Sequence, residues 1–207
     1  MGNINFNKNN DMKKITFILY FISILGYSQT PITDDNFYDA IQTCLKTNPV
    51  DGLCSNSEYG AMPNWDVSKV TDMSMAFAYY SEPNADIFFN ADISSWDVSN
   101  VTNMENMFAQ SNFNQDISSW DVSNVTNMSG MFASGYKFNQ DISSWKVSKV
   151  IDMSYMFENA WVFNQDLSSW DVSNVTKCKN FYEVYSDQIP WSLPNRPKLS
   201  ARCKYQD

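Results

Sequence analysis

Two acidic columns run through this chain, and carboxylates are the side chains in it best suited to chemistry. The first column is Asp66, Asp97, Asp121 and Asp171, each one residue after a tryptophan, with Lys146 at the same place in the fourth unit. The second is Asp92, Asp116, Asp141 and Asp166, each four residues before a tryptophan. A pair such as Asp97 and Asp121, side by side on adjacent strands, could serve a glycosidase. Oxygen ligands such as those of the second column could hold calcium. Each idea competes with a plainer one. A residue repeated in every unit is more simply part of the scaffold. The second column, beside Asn90, Asn114, Asn139 and Asn164, suits backbone hydrogen bonding in loops. Its spacing is also not that of a calcium-binding nonapeptide repeat.

Other routes to catalysis are closed. The 207 residues contain no histidine, which removes imidazole acid–base chemistry and the triads built on it. No phosphate loop or dinucleotide glycine motif is present. The four cysteines, Cys44, Cys54, Cys178 and Cys203, match no zinc signature. We therefore expect no enzyme, no cofactor and no metal. The net charge of −9 argues against a nucleic-acid partner and against an anionic lipid surface.

Met12-Lys13-Lys14 followed by the apolar run Ile15 to Leu25 and Gly26-Tyr27-Ser28 has the form of a secretory signal peptide cleaved near Ser28–Gln29. The run is too short to cross a bilayer, so the mature chain is expected to have no membrane span and to be secreted or on the cell surface. Export permits disulfides, and four cysteines allow three connectivities. Pairing within each end, Cys44–Cys54 and Cys178–Cys203, is the economical choice.

Stepping from these residues to what must hold them, the tryptophans set the frame. Trp65, Trp96, Trp120, Trp145 and Trp170 are 31, 24, 25 and 25 residues apart, the mark of a stacked repeat. Apolar residues recur in register: Val67 and Val70 with their equivalents, then Met73, Met104, Met128, Met153 and Cys178, then Phe77, Phe108, Phe132, Phe157 and Tyr182. These columns, with Ile93, Ile117, Ile142 and Leu167, should form the core. Trp-Asp-Val alternates as a short strand with Asp outward. Thr102 to Phe108 carries a capping box at Glu105 and helical spacing of Met104, Met107 and Phe108. The expected fold is a leucine-rich-repeat-like solenoid. Its short parallel strands stack coil on coil, with short helical or 3-10 turns and an N-terminal capping helix.

The expected organisation is a signal segment over 1–28, a cap over 29–61, five coils over 62–182 and a C-terminal cap over 183–207. In the cap, Thr33-Asp34-Asp35 should start a helix whose inner face is Phe37, Ala40, Ile41, Cys44 and Leu45. At the far end Tyr182, Trp191 and Leu193 should cover the last coil. The wide first Trp–Trp interval holds an insertion with Tyr79, Tyr80 and Phe88, which either forms a binding loop or covers the first coil. The sequons at Asn100, Asn124, Asn127 and Asn174 reflect the repeat.

The unit F-N-Q-D-I-S-S-W-D-V-S-N-V-T-N-M-x-x-M-F resembles the surface-protein repeat of BspA-like bacterial proteins, which belong with the leucine-rich repeats. The likeness rests on Val101 to Phe108, Val125 to Phe132 and Val150 to Phe157, with Ile151 departing from the usual threonine. It implies a cell-surface or secreted protein, with adhesion or partner binding suspected, and transfers no binding residues. Three functional readings stay open. One is a non-enzymatic module binding an unidentified protein or glycan through Asp66, Asp97, Asp121, Lys146 and Asp171 or through the insertion. Another is a structural envelope spacer. The third is a binder of a regular surface, polysaccharide or ice. Oligomeric state is not legible.

Overall fold

A computed structural model describes residues 30–78, 89–183 and 191–200. The chain divides into two units, Met1–Thr30 and Pro31–Asp207, and the second holds all that follows. The signal segment lies outside the described residues, as do Tyr79, Tyr80, Phe88 and Cys203.

The repeated apolar positions build the core as the periodicity predicts. Every valine at the two repeated positions is buried, as are Met73, Met104, Met128, Met153 and Cys178. Equivalent rings stack one coil on the next. Phe77–Phe108, Phe108–Phe132 and Phe132–Phe157 have centroids 5.6, 5.8 and 5.6 Å apart. A second column, Phe89, Phe113, Phe138 and Phe163, runs beside the first at 5.9 to 6.4 Å steps. Within each coil the two columns meet face to face, as in Phe132–Phe138 at 3.9 Å. The five tryptophans in register, from Trp65 to Trp170, are buried with their one polar atom satisfied, because each indole N–H donates to a carbonyl of the preceding coil or cap. Trp120 reaches Ile93 O at 3.2 Å, Trp145 reaches Ile117 O and Trp170 reaches Ile142 O, both at 3.1 Å.

The strand-based, leucine-rich-repeat-like solenoid does not form. Among the described residues the coils are joined by isolated parallel bridges, Asp72–Asn103, Asn103–Asn127, Asn127–Asp152 and Asp152–Lys177, and by no sheet. Trp-Asp-Val is a link between two tight turns. Trp96 N–H bonds Ile93 O at 3.1 Å and Val101 N–H bonds Val98 O at 2.9 Å. These i to i+3 bonds fold the chain back too soon for a strand to extend.

The helical reading of Met104 to Phe108 also fails, for a local reason. The tenth residue after each tryptophan is left-handed: Met75, Asn106, Gly130, Tyr155 and Asn180 have φ between 47° and 62°. One such residue per coil ends any right-handed helix. The N–H groups then turn outward to the next coil instead. Met104, Asn106, Phe108 and Gln110 donate to the carbonyls of Asn127, Ser129, Met131 and Ala133 at 2.7–2.9 Å. Met128, Gly130, Phe132 and Ser134 repeat the pattern one coil further on. Glu105 forms no capping box. Its own N–H bonds Asn103 Oδ1 at 3.2 Å, and its carboxylate accepts Asn127 Nδ2 at 3.1 Å.

Before the first coil lies one α-helix, α1, Phe37–Leu45, which buries the face expected of it: Phe37, Ala40, Ile41, Cys44 and Leu45. Its N-cap is Asn36, without a side-chain cap, so the Thr33-Asp34-Asp35 start is displaced. Asp34 points elsewhere. Its carboxylate accepts Thr71 N–H at 2.7 Å, Thr71 Oγ1 at 2.7 Å and Asp72 N–H at 3.3 Å. In later coils the equivalent N–H groups, Thr102 and Asn103, bond Thr71 O of the coil before. Asp34 thus replaces a missing coil's carbonyl. Tyr38 supplies the opposite sign, its hydroxyl donating to Ser74 O. Cys44 and Cys54 form a disulfide that ties α1 to the loop preceding the first coil.

At the far end Trp191 is buried against Phe157, Phe163 and Tyr182, with edge contacts of 5.0 to 5.3 Å. The Arg196 guanidinium lies 4.4 Å over the Tyr182 ring. Leu193, expected to help cover this end, is instead 76% exposed in a 3-10 turn, Leu193–Asn195. Cys178 is disulfide-bonded, and its expected partner Cys203 lies outside the described residues.

Candidate functional site

The first acidic column is exposed, but its carboxylates are engaged. Asp66, Asp97, Asp121 and Asp171 each accept the N–H of the serine two residues on, Ser68, Ser99, Ser123 and Ser173, at 3.0–3.1 Å. These are Asx-turns, in which a side chain completes the turn that a backbone carbonyl otherwise would. The serine hydrogen bonds hold Asp66, Asp121 and Asp171 below the usual carboxylate range. Lys146 sits exposed in the column and has no carboxylate within ion-pair distance. Among the described residues the one such pair is Lys177–Asp152 at 3.5 Å. Lys146 acts on Asp121 only as a weak field that favours its ionised form.

The second column does what the loop reading assigns to it. Asp92, Asp116, Asp141 and Asp166 accept Ser94, Ser118, Ser143 and Ser168 N–H at 2.9–3.0 Å. Hydrogen bonds to those serines lower each carboxyl, and across the coils Asp116 and Asp166 weakly oppose this at Asp141. Among the described residues no three carboxylate or cysteine side chains converge as a metal site would require. The sequon asparagines are structural. Asn100, Asn124 and Asn174 donate through Nδ2 to Ser68, Ser99 and Ser148 carbonyls at 2.7–2.8 Å, each one coil away.

The insertion residues Tyr79, Tyr80 and Phe88 lie outside the described residues. The described residues on either side, Phe77 and Phe89, stack their rings at 3.9 Å and 2°. The next three coils close their return loops between the same two ring positions, at 3.9 to 4.2 Å. The ring pair that flanks the insertion is therefore the same as in the three coils after it.

Sequence reasoning missed one exposed feature. Tyr136 and Trp161 project from the return loops of the third and fourth coils, 45% and 52% exposed, with ring centroids 5.5 Å apart. The signal was available. The loop between Phe108 and Phe113 has four residues, whereas those between Phe132 and Phe138 and between Phe157 and Phe163 have five. Each longer loop carries an aromatic where the shorter has Asn112.

Stacked turns, a shared apolar core and a polar exterior repeated from coil to coil define a tandem-repeat protein. A family model described as "Mycoplasma protein of unknown function, DUF285" matches residues 53–110 and 84–189, and the chain belongs to that family. No curated protein and no solved structure matches it. The Cys44–Cys54 disulfide is compatible with an extracellular protein. Among the described residues no helix is long and apolar enough to cross a membrane.

Proposed function

We propose that the chain is a secreted or cell-surface, non-enzymatic repeat module, akin to the BspA-like surface proteins, that binds a protein or a glycan. The observation that carries this reading is the division of labour within each coil. Interior positions are apolar but for Ser111 and Ser154, while most outward positions repeat the same polar residues in register. A surface of that kind offers many weak, identical contacts, which suits a repetitive or extended partner. The row Asp66, Asp97, Asp121, Lys146 and Asp171 is the candidate face.

The Asx-turns favour a second reading, a structural spacer. Carboxylates that already accept serine N–H groups serve the turn first, and a partner second. A screen of the protein on glycan and extracellular-matrix arrays, with and without calcium, separates the two. A specific hit abolished by Asp97→Asn, Asp121→Asn and Lys146→Ala together supports recognition by this face. Clean arrays from a well-folded sample transfer the weight to the spacer.

A further inference from the structure

Of the seven tryptophans, six are 1–5% exposed, and Trp161 is 52% exposed. Leaving an indole half in water forgoes burial worth about 2 kcal/mol, and here its ring is matched by a second exposed ring, Tyr136, one coil away. The two loops are built alike. Ser134 and Asn159 are both left-handed with φ 53°, and Gly135 and Ala160 donate to Phe132 and Phe157 carbonyls at 2.9 and 3.1 Å. The rings are thus fixed by repeated backbone geometry at 5.5 Å and 60° to each other.

Three residues along the chain from each ring stands an exposed asparagine, and that of the third coil, Asn139, has half its amide engaged. Asn139 Oδ1 accepts Asn164 N–H at 2.9 Å and Gln165 Nε2 at 3.1 Å. Its Nδ2 has no acceptor among the described residues, and neither has that of Asn164. The patch therefore combines two half-exposed rings, set edge to face, with amide N–H groups that no described acceptor takes up. A pyranose has one face of C–H bonds and a rim of hydroxyl acceptors, and its breadth is close to that of a phenyl ring. Two rings one coil apart address two successive sugars.

We propose that Tyr136 and Trp161 form a platform for a neutral, extended glycan, with Asn139 and Asn164 donating to its hydroxyls. This rests on the reading above that the chain binds a partner at its surface, and it moves the contact from the acidic row to the return loops. Neutrality follows from charge, because a chain of net charge −9 disfavours an anionic polymer. A hot spot for a protein partner would also expose a tryptophan, but the open amide donors beside the rings favour a hydroxyl-rich ligand.

Because Trp161 is the exposed indole, acrylamide quenching of tryptophan fluorescence reads it selectively. The full disulfide-bonded chain is titrated with hexasaccharides of β-1,4-linked glucose and of N-acetylglucosamine, with α-mannan, and with heparin as the anionic control. The expected result is that a neutral glycan protects the quenchable component and heparin does not. Followed by isothermal titration calorimetry, which does not need the Trp161 fluorophore, Trp161→Ala and Tyr136→Ala should each weaken binding about tenfold, with unchanged melting temperature, and Trp161→Phe should restore most of it. No protection by any neutral glycan at millimolar concentration overturns the proposal. So does glycan binding that survives Trp161→Ala. If binding survives that change but is lost in the Asp97, Asp121 and Lys146 triple variant, this platform fails and the broader reading stands. A protein partner that depends on Trp161 while every glycan is inert replaces the glycan with a protein.

Discussion

At the N-terminal end of the stack, Asp34 and Tyr38 supply the acceptor and donor that an earlier coil would have supplied. At the C-terminal end, Trp191 closes the last coil with ring contacts and Arg196 lies over Tyr182. A repeat cannot satisfy its own edges, so each end needs a closure foreign to the repeat. The comparison shows that two currencies of stability serve the same purpose. The first end adds the Asp34 and Tyr38 hydrogen bonds to the apolar face of α1, and the second leans on the buried Trp191 ring, whose N–H donates to Gln165 O at 2.7 Å.

Removing the aromatic closure should have the largest effect. Trp191→Ala is expected to cost about 3–5 kcal/mol, the range for deleting a large buried ring, read as a fall in the urea midpoint. A smaller loss there would mean that packing is not what closes the C-terminal end. Next comes the Cys44–Cys54 bridge, which spans a separation of 10 residues. Replacing both cysteines by alanine should cost about 2–3 kcal/mol through loop entropy of the unfolded chain, measured by thermal melting of the oxidised parent and the variant. Asp34→Ala should cost about 1–2 kcal/mol, the scale of a lost N-cap. It should also increase hydrogen exchange first at the Thr71 and Asp72 amides. Uniform loosening of all coils would contradict the idea that Asp34 acts as a local substitute for a coil.

The smallest and most discriminating effect is in pH. Burial raises the Asp34 carboxyl, but the bonds from the Thr71 hydroxyl, Thr71 N–H and Asp72 N–H outweigh it and leave it lowered. A lowered folded value means that its contribution is present above the unfolded value of about 3.8. It is lost as pH falls through the folded one. Burial raises the Tyr182 phenol above its usual 10.0 despite Arg196, so its contribution holds below that value and fades as pH rises past it. Urea midpoints should show Asp34→Asn differing from the parent less at pH 2.5 than at pH 6. They should show Tyr182→Phe losing the parent's decline above pH 10. Equal pH profiles in variant and parent would erase the distinction between the two ends.

The interior was legible because burial imposes a strict rule on each position, and valine, methionine and phenylalanine columns obey it. The inner face of α1 was legible for the same reason. The backbone path was not. Trp-Asp-Val has the alternation of a strand, but Asp97 and Ser99 close a turn around it. Met104, Met107 and Phe108 have helical spacing, yet Asn106 between them is left-handed. A clue lay in the side chains at that position: asparagine or glycine occupies it in three coils, residues that tolerate positive φ. The candidate site suffered a related error. Tyr136 and Trp161 belong to none of the repeated columns, so a reading built on those columns passed over them. The acidic row was placed on the outside correctly, but its bonds to serine were invisible without the turns.

The direction of the inter-coil hydrogen bonds has a mechanical consequence. They run from coil to coil along the stack, so a pull applied between its two ends loads them one layer after another. Such a geometry peels and does not shear, and it yields in steps at low force. Each coil released after the first, 24 or 25 residues from Trp to Trp, adds about 80–90 Å of slack. A pull on the two ends therefore meets the closures first and the coils behind them one at a time.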